Sequence, residues 1–368
     1  MLITPGLIWK AQQLFFILLP LFILACSLKN VWVKSFLLYA GIWQICLLFY
    51  YFSNPKGPGP GSGLSIILCL MSAAVIFKFV SESKLANDKW YMVIRIAVIA
   101  QIILAVFQTF RINIVAKFYG MFFPIKELLP DHLVGSLGNR NYLAAFVAYS
   151  LPMFIIWKPW LSLPFIAFIF VMCPSPATLA GIIGAAFWLA YSRGASPKRI
   201  ITYISVAVAI GVGFTTFYVL STGYHLNEFK ELPRQISQFF STGKVDSDMF
   251  RGDLGRFGMW FMALGHLIST PFGMILGFGP GSYWGRDYSL HSEYMAVWFY
   301  FGLIGLFLLF GYIRETWKFL WQKKNAVLLT SFLIMVVEIG ANHSFEIATS
   351  GMMGVVILGL IERERLNG

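Results

Sequence analysis

The chain has 368 residues, of which 58% are hydrophobic and 12% charged, and its formal net charge is +12. A soluble domain carries about a quarter charged residues, so this composition excludes an ordinary water-soluble protein and predicts an all-α polytopic membrane protein. Nucleic acid is not expected as a partner, because the basic residues are scattered between apolar runs. Cytoplasmic loops rich in Lys and Arg account for much of the positive charge.

Apolar runs long enough to cross a bilayer recur along the whole chain. Each crossing needs roughly 20 residues, and we predict about eleven transmembrane helices, within a range of about ten to twelve. They lie near residues 7–28, 31–52, 62–80, 90–112, 141–157, 160–175, 177–192, 199–221, 292–313, 326–341 and 347–361. The whole chain, 1–368, is therefore predicted to be a single integral membrane domain.

The basic residues fall on alternate connectors between these runs, and the positive-inside rule places those connectors in the cytoplasm. They are Lys29, Lys34, Lys84, Lys89, Lys158, Arg193, Lys198, Arg199, Arg314, Lys318, Lys323, Lys324, Arg363 and Arg365. The long segment 222–291 then lies on the outer side. We predict that it is one large loop with interfacial helices, and that the apolar stretch 255–276 lies at the membrane surface, because another span there would break the charge alternation.

Two motifs in this outer loop have residue types suited to phosphate. Arg256 and Trp260 are four residues apart and share a face if the segment is helical, and the planar fork of Arg matches phosphate oxygens. Gly277-Phe-Gly-Pro-Gly281 permits the backbone to approach a ligand closely. The alternatives are an Arg among lipid headgroups beside an interfacial Trp, and a tight turn re-entering the membrane.

The motif His291-Ser-Glu-Tyr294 ends the loop. A neutral imidazole can accept a proton from a sugar hydroxyl, with Glu293 and Tyr294 beside it, although a His that only lies at the interface is the alternative. Before the fifth run, Asn139 and Asn141 can cap a helix whose start, with Arg140, forms an outward-facing anion site. Ordinary capping explains these asparagines as well.

Glu338 and the four cysteines do not point to one function. Glu338 lies inside a predicted span, where a carboxylate indicates either function or a structural partner. The four cysteines all lie in apolar runs without a Cys-x-x-Cys pair, which predicts neither a disulfide framework nor a metal site.

In order and spacing, these pieces resemble the O-antigen ligase and O-antigen polymerase superfamily of bacterial envelope glycosyltransferases, over about residues 135–310. The pieces are Gly138-Asn-Arg-Asn-Tyr-Leu-Ala144, Arg256-x-x-x-Trp260, Gly277-Phe-Gly-Pro-Gly281, His291-Ser-Glu-Tyr294 and Gly302-Leu-Ile-Gly305. Two positions depart from the pattern. Arg140 replaces the family's usual Pro, and Ser175-Pro-Ala-Thr178 stands where a Ser-Arg pair is usual, so Arg140 is a candidate substitute for that phosphate-binding Arg.

The resemblance implies a lipid-phosphate-dependent (GT-C-like) glycosyltransferase fold, with its active site on the periplasmic face of the bacterial inner membrane. It also implies a glycan donor on undecaprenyl pyrophosphate and an inverting transfer. His291 would activate the acceptor hydroxyl and Arg256 would bind the pyrophosphate. The expected substrate-binding residues are Arg140, Asn139, Asn141, Trp260, Gly279, Gly281, Glu293 and Tyr294. The outer loops contain no Asp-rich cluster, so we expect neither metal nor cofactor.

The resemblance leaves the acceptor open between two reactions. We favour a ligase attaching O-antigen to lipid A-core over a polymerase joining repeat units, so the expected partners are the lipid-linked donor, a glycolipid or glycan acceptor, membrane lipids and envelope polysaccharide assembly proteins. A flippase or transporter of lipid-linked glycans is a second class, but internal repeats and charges within several spans, which it should show, are not found. A scaffold in a polysaccharide assembly complex is a third.

Overall fold

A computed structural model describes residues 18–53, 61–109, 140–158, 176–192, 196, 202, 260, 263–279, 292–340 and 348–368. These residues form α-helices and contain no β-strand, so the all-α prediction is confirmed for the part of the chain that is described. The predicted run 160–175, nearly all of 199–221 and most of the loop 222–291 lie outside it.

The helices coincide with the apolar runs and begin and end within a few residues of most predicted limits. They are α1 (Leu18–Ser27), α2 (Val31–Ser53), α3 (Gly61–Ser81), α4 (Asn87–Thr109), α5 (Arg140–Trp157), α6 (Pro176–Ser192), α7 (263–269), α8 (Pro271–Leu276), α9 (Glu293–Lys323), α10 (Ala326–Glu338) and α11 (Ala348–Asn367). Two of them are long and apolar enough to cross a membrane, namely α4 over Asn87–Gln108 and α9 over its whole length.

The chain divides into two compact units. The first comprises Met1–Leu68 with Ile201–Gly311, and the second comprises Cys69–Ile200 with Tyr312–Gly368. Gly279, Glu293 and Tyr294 of the predicted site belong to the first unit, whereas Arg140 and Asn141 belong to the second. The single integral domain and the total number of spans remain predictions.

Helix α9 does not run straight, because it folds back on itself at Gly302. This residue has φ 64° and ψ −164°, a conformation that is essentially restricted to glycine. The rings of Tyr294 and Phe310 stack with their centroids 5.5 Å apart, although a straight helix would separate these two positions by about 24 Å. The first half of α9, 293–301, therefore packs against the start of the second half, 303–323, as a helical hairpin.

Gly305 permits this close packing of the two halves. A Cβ atom at position 305 would lie 2.3 Å from the Phe301 Cβ and 3.3 Å from a Val297 methyl carbon. The motif Gly302-x-x-Gly305 is thus the turn of the hairpin followed by its point of closest approach.

The hairpin changes the ninth predicted span. The sequence predicts one continuous crossing over 292–313, but the helix bends at Gly302, and the apolar residues after the bend end before Arg314. Arg314, Lys318 and Lys323, predicted to lie in a connector, belong to the last turns of that helix. Hydropathy misses the bend because the residues on both sides of Gly302 are equally apolar.

In the second unit, α10 packs against α5, α6 and α11, and α5 also packs against α4. A Cβ atom at Gly181 would lie 2.9 Å from the Ile334 carbonyl oxygen, so this glycine permits α6 to approach α10 closely. Glu338 of α10 is fully buried, and the equally buried Tyr149 of α5 donates its hydroxyl hydrogen bond to the Glu338 carboxyl group. This contact favours the structural interpretation of Glu338.

Candidate functional site

The predicted site residues fall partly inside the described part of the chain. Gly279, Glu293 and Tyr294 are described with their side-chain surroundings, and Trp260 is helical and half-buried. Helix α5 is described from Arg140, close to the predicted start of the fifth apolar run at residue 141. The others, Asn139, Arg256, Gly281 and His291, lie outside the described residues.

The described part of the Gly277-Phe-Gly-Pro-Gly281 motif, residues 277–279, is called the glycine turn. Its backbone packs against the end of the first half of α9, at the tip of the hairpin. The N–H of Phe278 donates to the Phe299 carbonyl at 2.8 Å, and the N–H of Gly279 donates to the Tyr300 carbonyl at 2.9 Å. In a straight helix these carbonyls would accept from N–H groups four residues later, beyond the bend at Gly302. The glycine turn therefore donates the hydrogen bonds that the Phe299 and Tyr300 carbonyls would otherwise lose at the bend.

The close contact between the glycine turn and the bend requires glycine at positions 277 and 302. Gly277 has φ 85°, and a Cβ atom there would lie 2.4 Å from the Tyr300 carbonyl oxygen. A Cβ atom at Gly302 would lie 2.2 Å from the Ile275 carbonyl oxygen. The N–H of Gly279 already donates to the Tyr300 carbonyl. The substrate-binding role expected of Gly279 would therefore depend on its lack of a side chain, which permits a ligand to approach the backbone closely.

Aromatic side chains hold the carbonyls that precede the turn. The Leu276 carbonyl accepts from the Tyr39 hydroxyl at 2.9 Å and from the Trp43 indole N–H at 2.8 Å. The Met274 carbonyl accepts from the Trp298 indole N–H at 3.3 Å. Carbonyls at the end of a helix lack partners within it, so these donors complete the end of α8.

Replacing both donors of α2, as Tyr39→Phe with Trp43→Phe, should loosen the turn while retaining aromatic rings. We expect a loss of about 2 kcal/mol in the free energy of unfolding, about 1 kcal/mol for each hydrogen bond. Hydrogen exchange at the amides of Phe278 and Gly279 should accelerate. Trp32→Phe is the matched control, because the Trp32 ring packs on Phe307 instead; unchanged exchange in the double variant would contradict the assigned role.

The base of the hairpin carries the second motif. The Ser292 hydroxyl accepts from the Met295 N–H at 3.4 Å and so caps α9. Ser292 is 2% exposed and Glu293 6%, and the Glu293 carboxylate lies in the first helical turn, where the helix dipole favours negative charge. The residue after His291 is thus fixed by a cap, and Tyr294 is fixed by its stacking on Phe310.

The two motifs stand at opposite ends of one short half-helix. Gly279 is bonded to Tyr300 at the tip, whereas Glu293 lies seven residues earlier at the base, about 10 Å away along the helix axis. Both motifs therefore belong to one packed element, but their described residues do not touch. Among the described residues, no group of three or more His, Cys, Asp or Glu is arranged to hold a metal ion.

No protein-family model matches the chain, and no curated protein matches its sequence. The resemblance to O-antigen ligases and polymerases consequently remains an interpretation of the motifs.

Proposed function

We propose that this chain is a membrane glycosyltransferase that moves a saccharide from undecaprenyl pyrophosphate to an acceptor at the periplasmic face of the bacterial inner membrane. The preferred reaction is O-antigen ligation to lipid A-core, with polymerisation of repeat units as the alternative. The apolar length of α4 supports the membrane location, and α9 is apolar on both sides of its bend. The outward orientation and the GT-C-like fold rest on the charge alternation and on the resemblance.

One observation carries the proposal, namely that the α9 hairpin unites the glycine turn with the segment that follows His291. The turn is bonded to the tip of the hairpin, and the capped start of α9 forms its base. A lipid-linked sugar pyrophosphate is an extended ligand, and two motifs separated along one packed element suit a ligand held at both ends. Interrupted helices form the substrate sites of many secondary transporters, so a bend of this kind is compatible with ligand binding.

In the proposed reaction, the acceptor hydroxyl attacks the anomeric carbon of the donor sugar, and the bond from that carbon to the pyrophosphate oxygen breaks. His291 takes the hydroxyl proton as general base. Arg256 neutralises the negative charge that develops on the departing undecaprenyl pyrophosphate, which removes the need for a metal ion. Attack opposite the leaving group inverts the anomeric configuration.

The proposal is tested with purified protein in liposomes containing an undecaprenyl-pyrophosphate-linked glycan. Transfer to added lipid A-core identifies a ligase, whereas elongation of the lipid-linked glycan itself identifies a polymerase. Release of undecaprenyl pyrophosphate in neither mixture, by protein that remains folded and monodisperse, would refute both.

Arg256→Lys should abolish most transfer although the charge is retained, because an ammonium group cannot grip two phosphate oxygens as a guanidinium does. We expect a decrease of at least about tenfold in kcat/KM, corresponding to the loss of a charge-assisted hydrogen bond of about 1.5–3 kcal/mol. If the Arg256→Lys variant turns over at the wild-type rate at a matched amount of protein, Arg256 only contacts lipid headgroups.

A flippase of lipid-linked glycans is the second candidate, and the bend in α9 is the observation that favours it, because discontinuous helices also form transporter sites. Liposomes separate the two functions. A flippase would expose a labelled lipid-linked glycan on the opposite leaflet without releasing undecaprenyl pyrophosphate, whereas the transferase would release it only in the presence of an acceptor.

A further inference from the structure

The two donors of α2 locate the Leu276 carbonyl along that helix. Tyr39 and Trp43 both donate to it, and they follow the start of α2 at Val31 by eight and twelve residues, which is about 12 and 18 Å along the axis. The hydrocarbon core of a bilayer is about 30 Å thick. With α2 as the predicted span 31–52, the Leu276 carbonyl therefore lies near the middle of the hydrocarbon.

Ring contacts along α2 indicate the same level. The rings of Phe36 and Tyr39 lie 5.1 Å and 6.3 Å from the ring of Phe301, measured between centroids, at the tip of the α9 hairpin. Nearer the start of α2, the Trp32 ring lies 5.7 Å from the Phe307 ring. The tip of the hairpin, to which the glycine turn is bonded, consequently lies beside the middle of α2 and not beside its end.

The backbone of this segment is hydrogen-bonded by other parts of the protein. Hydrocarbon offers no hydrogen bonds, so non-helical backbone at membrane depth requires protein partners. The Leu276 carbonyl has its two donors from α2, and the Met274 carbonyl accepts from the Trp298 indole. The N–H groups of Phe278 and Gly279 donate to carbonyls of α9. Water could serve these groups at an exposed helix end, whereas side-chain donors from two other helices suit an end that water does not reach.

The exposed side chains change from polar to apolar along α7 and α8. Helix α8 contains no polar side chain, and its Phe272 is 78% exposed and its Ile275 47%. His266 and Ser269 of α7 are exposed polar residues. His266 precedes Leu276 by ten residues, at most about 15 Å along a helical path, which is about half the hydrocarbon thickness. The segment is thus long enough to reach from the membrane surface to the middle of the bilayer.

We propose that α8 and the glycine turn form a re-entrant segment that enters the hydrocarbon core from α7 and reaches about its middle. The exposed side chains of α8 contact lipid acyl chains, and α7 lies at the level of the headgroups. This depth agrees with the interpretation of the glycine motif as a turn within the membrane, and it differs from the surface position predicted for 255–276. The proposal holds for entry from either side and does not depend on glycosyl transfer.

Spin labels on single cysteines measure this depth in the full-length chain, purified and placed in liposomes after its four native cysteines are replaced by alanine. The labelled variants are His266→Cys, Phe272→Cys and Ile275→Cys. Collision with a water-soluble nickel chelate should decrease in that order, and collision with oxygen, which concentrates in hydrocarbon, should increase. Ile42→Cys is the matched reference, because Ile42 is exposed between the two donors of α2, and its values should equal those of Ile275→Cys.

Two results of this experiment would overturn the proposal. Equal collision with nickel at all three labelled positions would place the segment flat on the membrane surface. Little collision with either reagent at Ile275→Cys would place this side chain against protein and not against lipid.

A photoreactive reagent dissolved in the acyl chains tests the unaltered protein, so a folding defect cannot affect the result. It should label Phe272 and Ile275 as it labels Ile96 and Ile99, which are exposed on the candidate span α4. Labelling of α4 without labelling of α8 would exclude contact between α8 and the acyl chains.

Discussion

Gly302→Ala should destabilise the first unit by at least about 3 kcal/mol, the upper end of the cost of holding a non-glycine residue in such a conformation. The new Cβ atom would also lie 2.2 Å from the Ile275 carbonyl oxygen and 2.5 Å from the Gly277 nitrogen. Backbone atoms cannot move aside as a flexible side chain can. The substitution must therefore separate the glycine turn from the hairpin or straighten α9.

Thermal unfolding in detergent measures this effect, with Gly265→Ala as the control. Gly265 lies in α7, and a Cβ atom there would meet no neighbour within 4 Å. Alanine in a helix is favoured over glycine by about 0.5–1 kcal/mol, so the control should be neutral or slightly stabilising. Equal unfolding temperatures for the two variants would mean that α9 does not bend at Gly302 in the membrane protein.

Glycosyl transfer should fall with Gly302→Ala even in the molecules that remain folded. The tip of the hairpin holds Gly279 and its base begins one residue after His291, so a straightened α9 would change the spacing between the two motifs. Hydrogen exchange at the Phe278 and Gly279 amides reports this change without any assay of activity. If these amides stay protected while transfer is lost, the bend contributes to transfer in some way other than by setting the spacing between the two motifs.

Composition and local hydropathy predict most of the described helices because burial in lipid depends on each segment's own apolar residues. The limits of α2, α3 and α6 follow from this property alone. The bend at Gly302 does not, because it depends on a backbone conformation and on packing against the distant Ile275. The sequence marks the position only through the glycine itself.

The sequence predicts the candidate site as a set of motifs but not as an arrangement. His291, Glu293 and the glycine turn are recognised by residue type and spacing. Tyr39 and Trp43 are not, because they lie more than 200 positions from the Leu276 carbonyl that they bond and no local pattern marks them. Contacts of this kind depend on the tertiary fold.

His291→Ala should lower the transfer rate by about 10²–10⁴, the range for a lost general acid or base. Donor binding should survive, because Arg256 and the glycine turn are expected to hold the pyrophosphate independently of the imidazole. His266→Ala is the matched control, since His266 lies exposed on α7 and lacks the neighbouring Glu and Tyr, and it should transfer at the wild-type rate.

The pH dependence separates a chemical role for His291 from a structural one. Protonated imidazole cannot accept a proton, so the wild-type rate should fall as the pH is lowered through the pKa of imidazole, about 6.5 when unperturbed. The residual rate of His291→Ala should lose that dependence, whereas a variant with only a loosened α9 would keep it. Near-normal transfer by a well-folded His291→Ala protein would remove His291 from the mechanism. The buried Glu293, two residues further along the capped start of α9, would then be the next candidate base.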